Sequence, residues 1–161
     1  MYRMPTQPRQ ESVWDYPRPP RLEAESRRLS VRVGFVVVAE TTNGVRLLET
    51  SHPPVFYFPR SDVATEFIHP NPRRTVCEWK GTATYWDIVV GSSILSGAAW
   101  SYENPPAPYQ AMRGHLAFYP GRALCMVDEE AVRAQEGGFY GGWITSETTG
   151  PFKGATGSSG W

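Results

Sequence analysis

Two short segments hold the side chains best suited to chemistry. The first is Glu49-Thr50-Ser51-His52-Pro53-Pro54-Val55-Phe56-Tyr57-Phe58-Pro59-Arg60. It sets a carboxylate, an imidazole and a guanidinium around rigid proline turns, so the backbone there costs little to hold in place. Such a set can do general acid or base work through Glu49, with His52 as its partner, while Arg60 holds an anionic group. The same residues also fit a plain loop closed by a Glu49–Arg60 ion pair. The second segment is Cys77-Glu78-Trp79-Lys80-Gly81-Thr82-Ala83-Thr84-Tyr85-Trp86-Asp87. Here Lys80 stands among aromatic residues at the start of the strongest predicted strand. In an extended chain Lys80, Thr82, Thr84 and Trp86 share one face, and Trp79, Ala83, Tyr85 and Asp87 the other.

Together the segments predict a small-molecule pocket. Arg60 and Lys80 would contact an anion or stabilise developing negative charge, and Trp79, Tyr85, Trp86, Trp100 and Tyr102 would form its walls. Core packing is the competing reading for the tryptophans, and a surface charge for Lys80. A Cys77 nucleophile activated by His52 needs only that the two approach, which the sequence does not show. A carboxylate near two cations ionises readily and favours binding over base catalysis.

Other chemistries find little support. A metal site could draw on His52, His69, His115 and Glu49, but no two of the histidines have the i, i+4 or short-ribbon spacing of metal ligands. Neither Cys77 nor Cys125 belongs to a C-x-x-C pair, so a four-cysteine zinc site is excluded and no metal or cofactor is expected. Nucleotidyl transfer needs paired carboxylates for Mg²⁺ beside a Gly-Ser turn, but Gly91-Ser92 is followed by Ser93-Ile94-Leu95. No Gly-x-x-x-x-Gly-Lys loop is present either.

The elements that must position these residues follow from length and pattern. A chain of 161 residues predicts one domain with a real core. It has no apolar run long enough to span a membrane and no apolar h-region behind Met1, so neither a membrane span nor a signal peptide is expected. The formal charge is zero, which argues against a general nucleic-acid binder. The 16 basic residues comprise 14 Arg and only Lys80 and Lys153. With no export signal, the two thiols are expected to stay reduced in the cytoplasm.

Residues 1–30, with 5 Pro and 6 Arg, read as an extended N-terminal arm anchored by Trp14. Residues 31–136 read as the domain body. Residues 137–161, with 8 Gly and the aromatics Phe139, Tyr140, Trp143, Phe152 and Trp161, read as a strap packed on the body or on a second subunit. In the body, strands are predicted around 31–38, 45–49, 55–58, 75–79, 82–90, 94–102, 116–119 and 123–127, with Asn43-Gly44 and Gly91-Ser92-Ser93 as hairpin turns. Short helical turns are expected from Ser61 or Asp62 to Phe67 and from Asp128 to Ala134. The fold class is all-β and mainly antiparallel, with few short helices.

Several ordered motifs resemble the uncharacterised bacterial domain-of-unknown-function family 427. They are Glu49-Thr50-Ser51-His52-Pro53-Pro54-Val55, Tyr57-x-Pro59-Arg60-x-Asp62-Val63, Cys77-x-Trp79-Lys80-Gly81-x-Ala83-x-Tyr85-Trp86, Ala98-Ala99-Trp100-Ser101-Tyr102-x-x-Pro105 and Gly114-His115-Leu116-Ala117-Phe118-Tyr119. The likeness runs from about Glu11 to Val127 and departs from the family's Cys-Pro-aromatic-Lys-Gly run at Glu78. The tail ending in Trp161 is similar to the extension of actinobacterial members. The resemblance implies two small sheets meeting at an angle, similar to the β-tent of methionine sulfoxide reductase B and the cereblon ligand domain, here without the zinc site. It implies no established activity. By looser likeness to the cereblon domain, Trp79, Trp86 and Trp100 would form an aromatic cage for a flat or cationic group.

The expected function is therefore binding of a small anionic or aromatic ligand, with enzymatic use of Glu49, His52 and Cys77 as its extension. The alternative is an interaction or structural module that docks through its arm and aromatic tail, as in a homodimer joined by the strap. Neither nucleic acid nor membrane is an expected partner.

Overall fold

Runs of β-branched and aromatic residues, punctuated by Gly and Pro, make strand the main regular structure of the chain. The computed structural model describes residues 2–161, so Met1, the tip of the expected arm, lies outside the described residues. In chain order the strands are β1 (Glu11–Ser12), β2 (Arg21–Glu25), β3 (Leu29–Val33), β4 (Val36–Thr41), β5 (Gly44–Leu48), β6 (Val55–Tyr57), β7 (Ile68–Cys77), β8 (Gly81–Val90), β9 (Ser93–Tyr102), β10 (Leu116–Phe118), β11 (Leu124–Val127), β12 (Glu130–Ala131), β13 (Arg133–Ala134), β14 (Trp143–Ile144) and β15 (Thr148–Thr149). Short 3₁₀ turns at Val13–Asp15, Arg60–Asp62, Thr65–Phe67 and Ala107–Met112 are the helical elements. Among the described residues no helix is long and apolar enough to cross a membrane.

The strands form several small sheets, in the orders β10-β9-β8-β7, β12-β11-β3-β4 and β2-β5-β6, with the pairs β13-β14 and β1-β15 beside them. All pairing is antiparallel except β1 with β15. Phe58 and Leu116 exchange backbone hydrogen bonds of 2.8 and 2.9 Å. That exchange joins β6 to β10, so the three-stranded sheet continues into the β7–β10 sheet as one surface.

Alternate residues of this surface enter different cores. Phe56, Phe58, Ile88, Ala99 and Phe118 pack with Leu29, Val31 and Ala39 of the β3–β4 sheet. Tyr57, Tyr85, Trp100, Tyr102 and Ala117 pack with Leu47, Tyr109 and Met112. The β8–β9 ladder slips between Trp86 and Ile88. Asp87 holds the slip, accepting from the Asn71 amide and the Gly97 N–H, each at 2.7 Å. Those bonds, Asn71 first, keep its carboxyl below the usual range.

Five local readings change. The Asn43-Gly44 turn makes no hairpin, because β4 pairs with β3 while β5 pairs with β2. The chain instead crosses between sheets there. A Cβ on Gly44 would lie 2.8 Å from Leu29 Cδ1 and 3.0 Å from the Tyr57 carbonyl oxygen. Close packing, rather than turn geometry, therefore requires glycine at 44. Strand β7 begins at Ile68, well before Thr75, despite Pro70 and Pro72; it is an edge strand, where missing N–H donors do no harm. Residues 21–25, read as part of the extended arm, are strand β2. Over 128–134 the chain forms β12 and β13 in place of a helical turn, and the turns at 60–67 lack a side-chain cap.

Both chain ends are stitched to the body. Trp143 is 1% exposed and donates its indole N–H to the Phe118 carbonyl at 3.0 Å. Trp14 donates to the Pro151 carbonyl at 2.8 Å, and its ring meets that of Trp161 edge-on at 5.1 Å. A charge network covers the seam: Arg46 pairs with Glu11 and Glu23, and Arg27 with Glu25 and Glu147. The Arg46 guanidinium holds the Glu11 carboxyl low.

Gly44→Ala should force Leu29 or the Tyr57 backbone aside and destabilise the protein by about 1–3 kcal/mol. A lowered urea midpoint with an unchanged m-value checks this.

Candidate functional site

The two residue segments singled out by their chemistry fold toward one cavity of about 310 Å³ on the aromatic face of the joined sheets. Its floor is Leu47, Tyr57, Tyr85, Trp100 and Tyr102, all buried. Cross-strand pairing of Tyr85 with Trp100 sets two of these rings side by side. The rim comes from three separate stretches. The 49–54 loop supplies Glu49, His52 and Pro53, the β7–β8 turn supplies Cys77, Glu78, Trp79 and Lys80, and the strap supplies Phe139, Tyr140, Gly141, Gly142 and Lys153.

The 49–54 loop is held on both sides through its backbone. Thr50 and Ser51 donate to the carbonyls of Pro17 and Val13, each at 3.1 Å. In turn the Ser51 carbonyl accepts from Lys153 N–H and the Pro54 carbonyl from Trp143 N–H, each at 2.8 Å. Ser51 is fully buried at φ +71°, a left-handed conformation that a side chain rarely adopts. Two glycines let the strap lie close on this frame. A Cβ on Gly141 would strike the Trp100 ring, and one on Gly142 would strike Pro53.

The charges of the site are arranged asymmetrically. Glu49 accepts from Arg18 Nε at 3.0 Å and Arg60 pairs with Glu103, so the Glu49–Arg60 ion pair of the plain-loop alternative does not form. Lys80 Nζ lies 5.3 Å from the Tyr102 ring centre, and among the described residues no carboxylate pairs with it. Lys153 Nζ lies 5.6 Å from the Tyr140 ring centre and donates to the Trp161 main-chain oxygen at 2.9 Å. The His52 ring meets Tyr140 edge-on at 5.1 Å. Burial, followed by the charges of Lys153, Lys80 and Arg18, pushes the His52 imidazole down to about 3. It is therefore neutral at pH 7. Burial likewise raises the hydroxyls of Tyr57, Tyr102 and Tyr119, against a small opposing pull on Tyr57 from the Trp100 side chain. Tyr57 and Tyr102 of the floor are thus uncharged phenols.

Of the predicted site residues, Glu49, His52, Cys77, Trp79, Lys80, Tyr85, Trp100 and Tyr102 line this cavity. Arg60 and Trp86 do not. Arg60 forms a bidentate pair with Glu103 at 3.0 and 3.1 Å and stacks 5.4 Å over Trp86. Trp86 donates to Ser101 Oγ at 2.9 Å, which donates to Glu103 at 2.6 Å. With Trp86 packed against the other core, Trp79, Trp86 and Trp100 do not form one cage. Cys77 and His52 share the cavity without a hydrogen bond between them, and both cysteines are free thiols. Among the described residues no three His, Cys, Asp or Glu side chains cluster closely enough to hold a metal.

The site residues missed from sequence are chiefly those of the strap, Tyr140 and Lys153, with Gln135 and the floor residue Tyr57. Lys153 carried a signal, as the other of only two lysines.

The model of one protein family, described as a domain of unknown function (DUF427), matches residues 21–133, and the chain belongs to that family. No curated protein matches the chain. The strap's share of the cavity, from Phe139 to Lys153, lies beyond the matched residues, as does Gln135.

A half-buried, neutral His52 predicts imidazole NMR shifts that keep their neutral-form values from pH 7 down to about 4. Because its folded pKa lies below the unfolded value near 6.5, the unfolded chain binds the extra proton. This residue's contribution to stability therefore falls as the pH drops below about 6.5.

Proposed function

We propose that this member of the DUF427 family binds a small organic anion with a flat ring body, and that Lys80 takes the anionic group. The observation that carries the reading is the position of Lys80. Its ammonium stands in an aromatic cavity without a carboxylate partner among the described residues, while the cavity's Glu49 is already engaged by Arg18. An anion supplies the missing charge, and the faces of Trp79, Trp100 and Tyr102 accept a planar ring by stacking. The neutral His52 can give or take a hydrogen bond without adding charge. A cationic ligand would meet two lysines, so the surroundings favour anions over the cations that an aromatic cage alone would suit.

An enzymatic use of the site would call on Glu49, His52 and Cys77. A base pushed down to about 3 is a weak proton acceptor near neutral pH, and the Glu49 carboxylate is occupied by Arg18. Both features support binding over proton transfer. The interaction-module reading has less behind it. The arm and strap it would use pair with each other through β1 and β15, and Trp143 lies in the core. A reducing compartment such as the cytoplasm suits the Cys77 thiol at the rim.

Titration calorimetry with benzoate, and with benzylamine as its cationic counterpart, tests the proposal. The expected result is saturable binding of benzoate in preference to benzylamine, weakened about ten-fold in Lys80→Ala, the effect of one charge-assisted contact. No saturable benzoate binding, or an unchanged affinity in Lys80→Ala, would contradict it.

A further inference from the structure

The second lysine comes from a different part of the chain and from another side of the same cavity. Lys80 sits on the turn between β7 and β8, inside the family-matched region, whereas Lys153 sits on the strap beyond it. The strap fixes Lys153 by its backbone. Its N–H donates to the Ser51 carbonyl at 2.8 Å, and its own carbonyl accepts from the Gln135 side-chain amide. Gln135 is 4% exposed, and its other amide atom accepts from the Gly142 N–H at 3.2 Å. The next residue, Gly154, runs so close to the Glu136 carbonyl that a Cβ there would collide with it, and its φ of +114° admits only glycine readily. Neither lysine pairs with an Asp or Glu side chain among the described residues; the Lys153 ammonium donates to the main-chain oxygen of Trp161, the last residue of the sequence, at 2.9 Å, a contact that a ligand's anionic group would have to share or replace. Lys80 and Lys153, both half-buried, thus line one aromatic cavity from separate walls.

We propose that the strap turns a single-anion pocket into a site for a planar dianion, with Lys80 taking one negative group and Lys153 the other. This rests on the anion-binding reading of the cavity and adds the ligand's second charge and the residue that selects it. A rigid ring with two carboxylates spaced across it can meet both lysines and still stack on Trp79 and Trp100. A monoanion can satisfy only one lysine. The His52 environment agrees, since the charges of both lysines act on that one half-buried imidazole. A neutral imidazole in the same lining adds no positive charge to that of the lysines.

Calorimetric titration with benzoate, isophthalate and terephthalate, on the full chain and on Lys153→Met and Lys153→Arg, tests this. Met keeps the apolar stem over Tyr140, and Arg restores the charge; thermal melting confirms that both variants fold. The expected result is that the better of the two dicarboxylates binds the unmodified protein about ten-fold more tightly than benzoate. In Lys153→Met the ratio of dicarboxylate to benzoate affinity should fall to about one, and in Lys153→Arg most of it should return. If benzoate binds but neither dicarboxylate binds better, or if Lys153→Met keeps the preference, the dianion proposal fails while the anion site stands. If none of the three acids binds, the anion-site reading fails and the dianion proposal with it.

Discussion

The backbone of residues 49–54 is where the arm, the body and the strap meet. Its amides and carbonyls tie Val13 and Pro17 on one side to Trp143 and Lys153 on the other, through four hydrogen bonds of 2.8 to 3.1 Å. Each such bond contributes a net stabilisation of about 1 kcal/mol, and leaving a buried partner unpaired costs more. The loop cannot satisfy these groups internally, because Pro53 and Pro54 remove two donors and Ser51 is held in the left-handed region. A non-glycine residue there costs about 1–3 kcal/mol and persists only where its surroundings hold it. Here the surroundings are the two ends of the chain. The cavity lies beside this loop, so its geometry depends on the same contacts.

This dependence explains how a protein with zero formal charge presents a charged pocket. Most arginines with close partners are matched to carboxylates at the seam or the surface, as in the Arg46–Glu11 and Arg60–Glu103 pairs. The two lysines stand over tyrosine rings instead. In a medium of lower dielectric than water these charges act over longer distances, which is why they reach the half-buried His52.

Much of the fold was legible because alternation is a geometric property of strands. The same alternation that put Tyr85 and Trp86 on opposite faces already separated Trp86 from the pocket. Naming both as wall residues set that geometry aside, and the pairing of Tyr85 with Trp100 and Trp86 with Ala99 restores it. Asn43-Gly44 misled because a glycine that turns and a glycine that yields space read alike in sequence. What decides between them is Leu29, a residue distant in the chain. Arg60 was drawn to Glu103 instead of Glu49 by an ion pair that forms only after the sheets join. Clustering of chemistry-bearing residues did locate the rims at 49–54 and 77–80. The third rim was hidden because glycine-rich segments carry no periodic signal, and their placement depends on close approaches such as Gly141 on Trp100.

Site-resolved amide hydrogen exchange reads the central constraint most directly. The N–H groups of Ser51, Trp143 and Lys153 should be strongly protected and should open together, because each reports a bond to or from the same loop. Rapid, peptide-like exchange at Trp143 and Lys153, with β8 and β9 still protected, would contradict it, since the strap would then hang free of the loop and the cavity would lack its third wall.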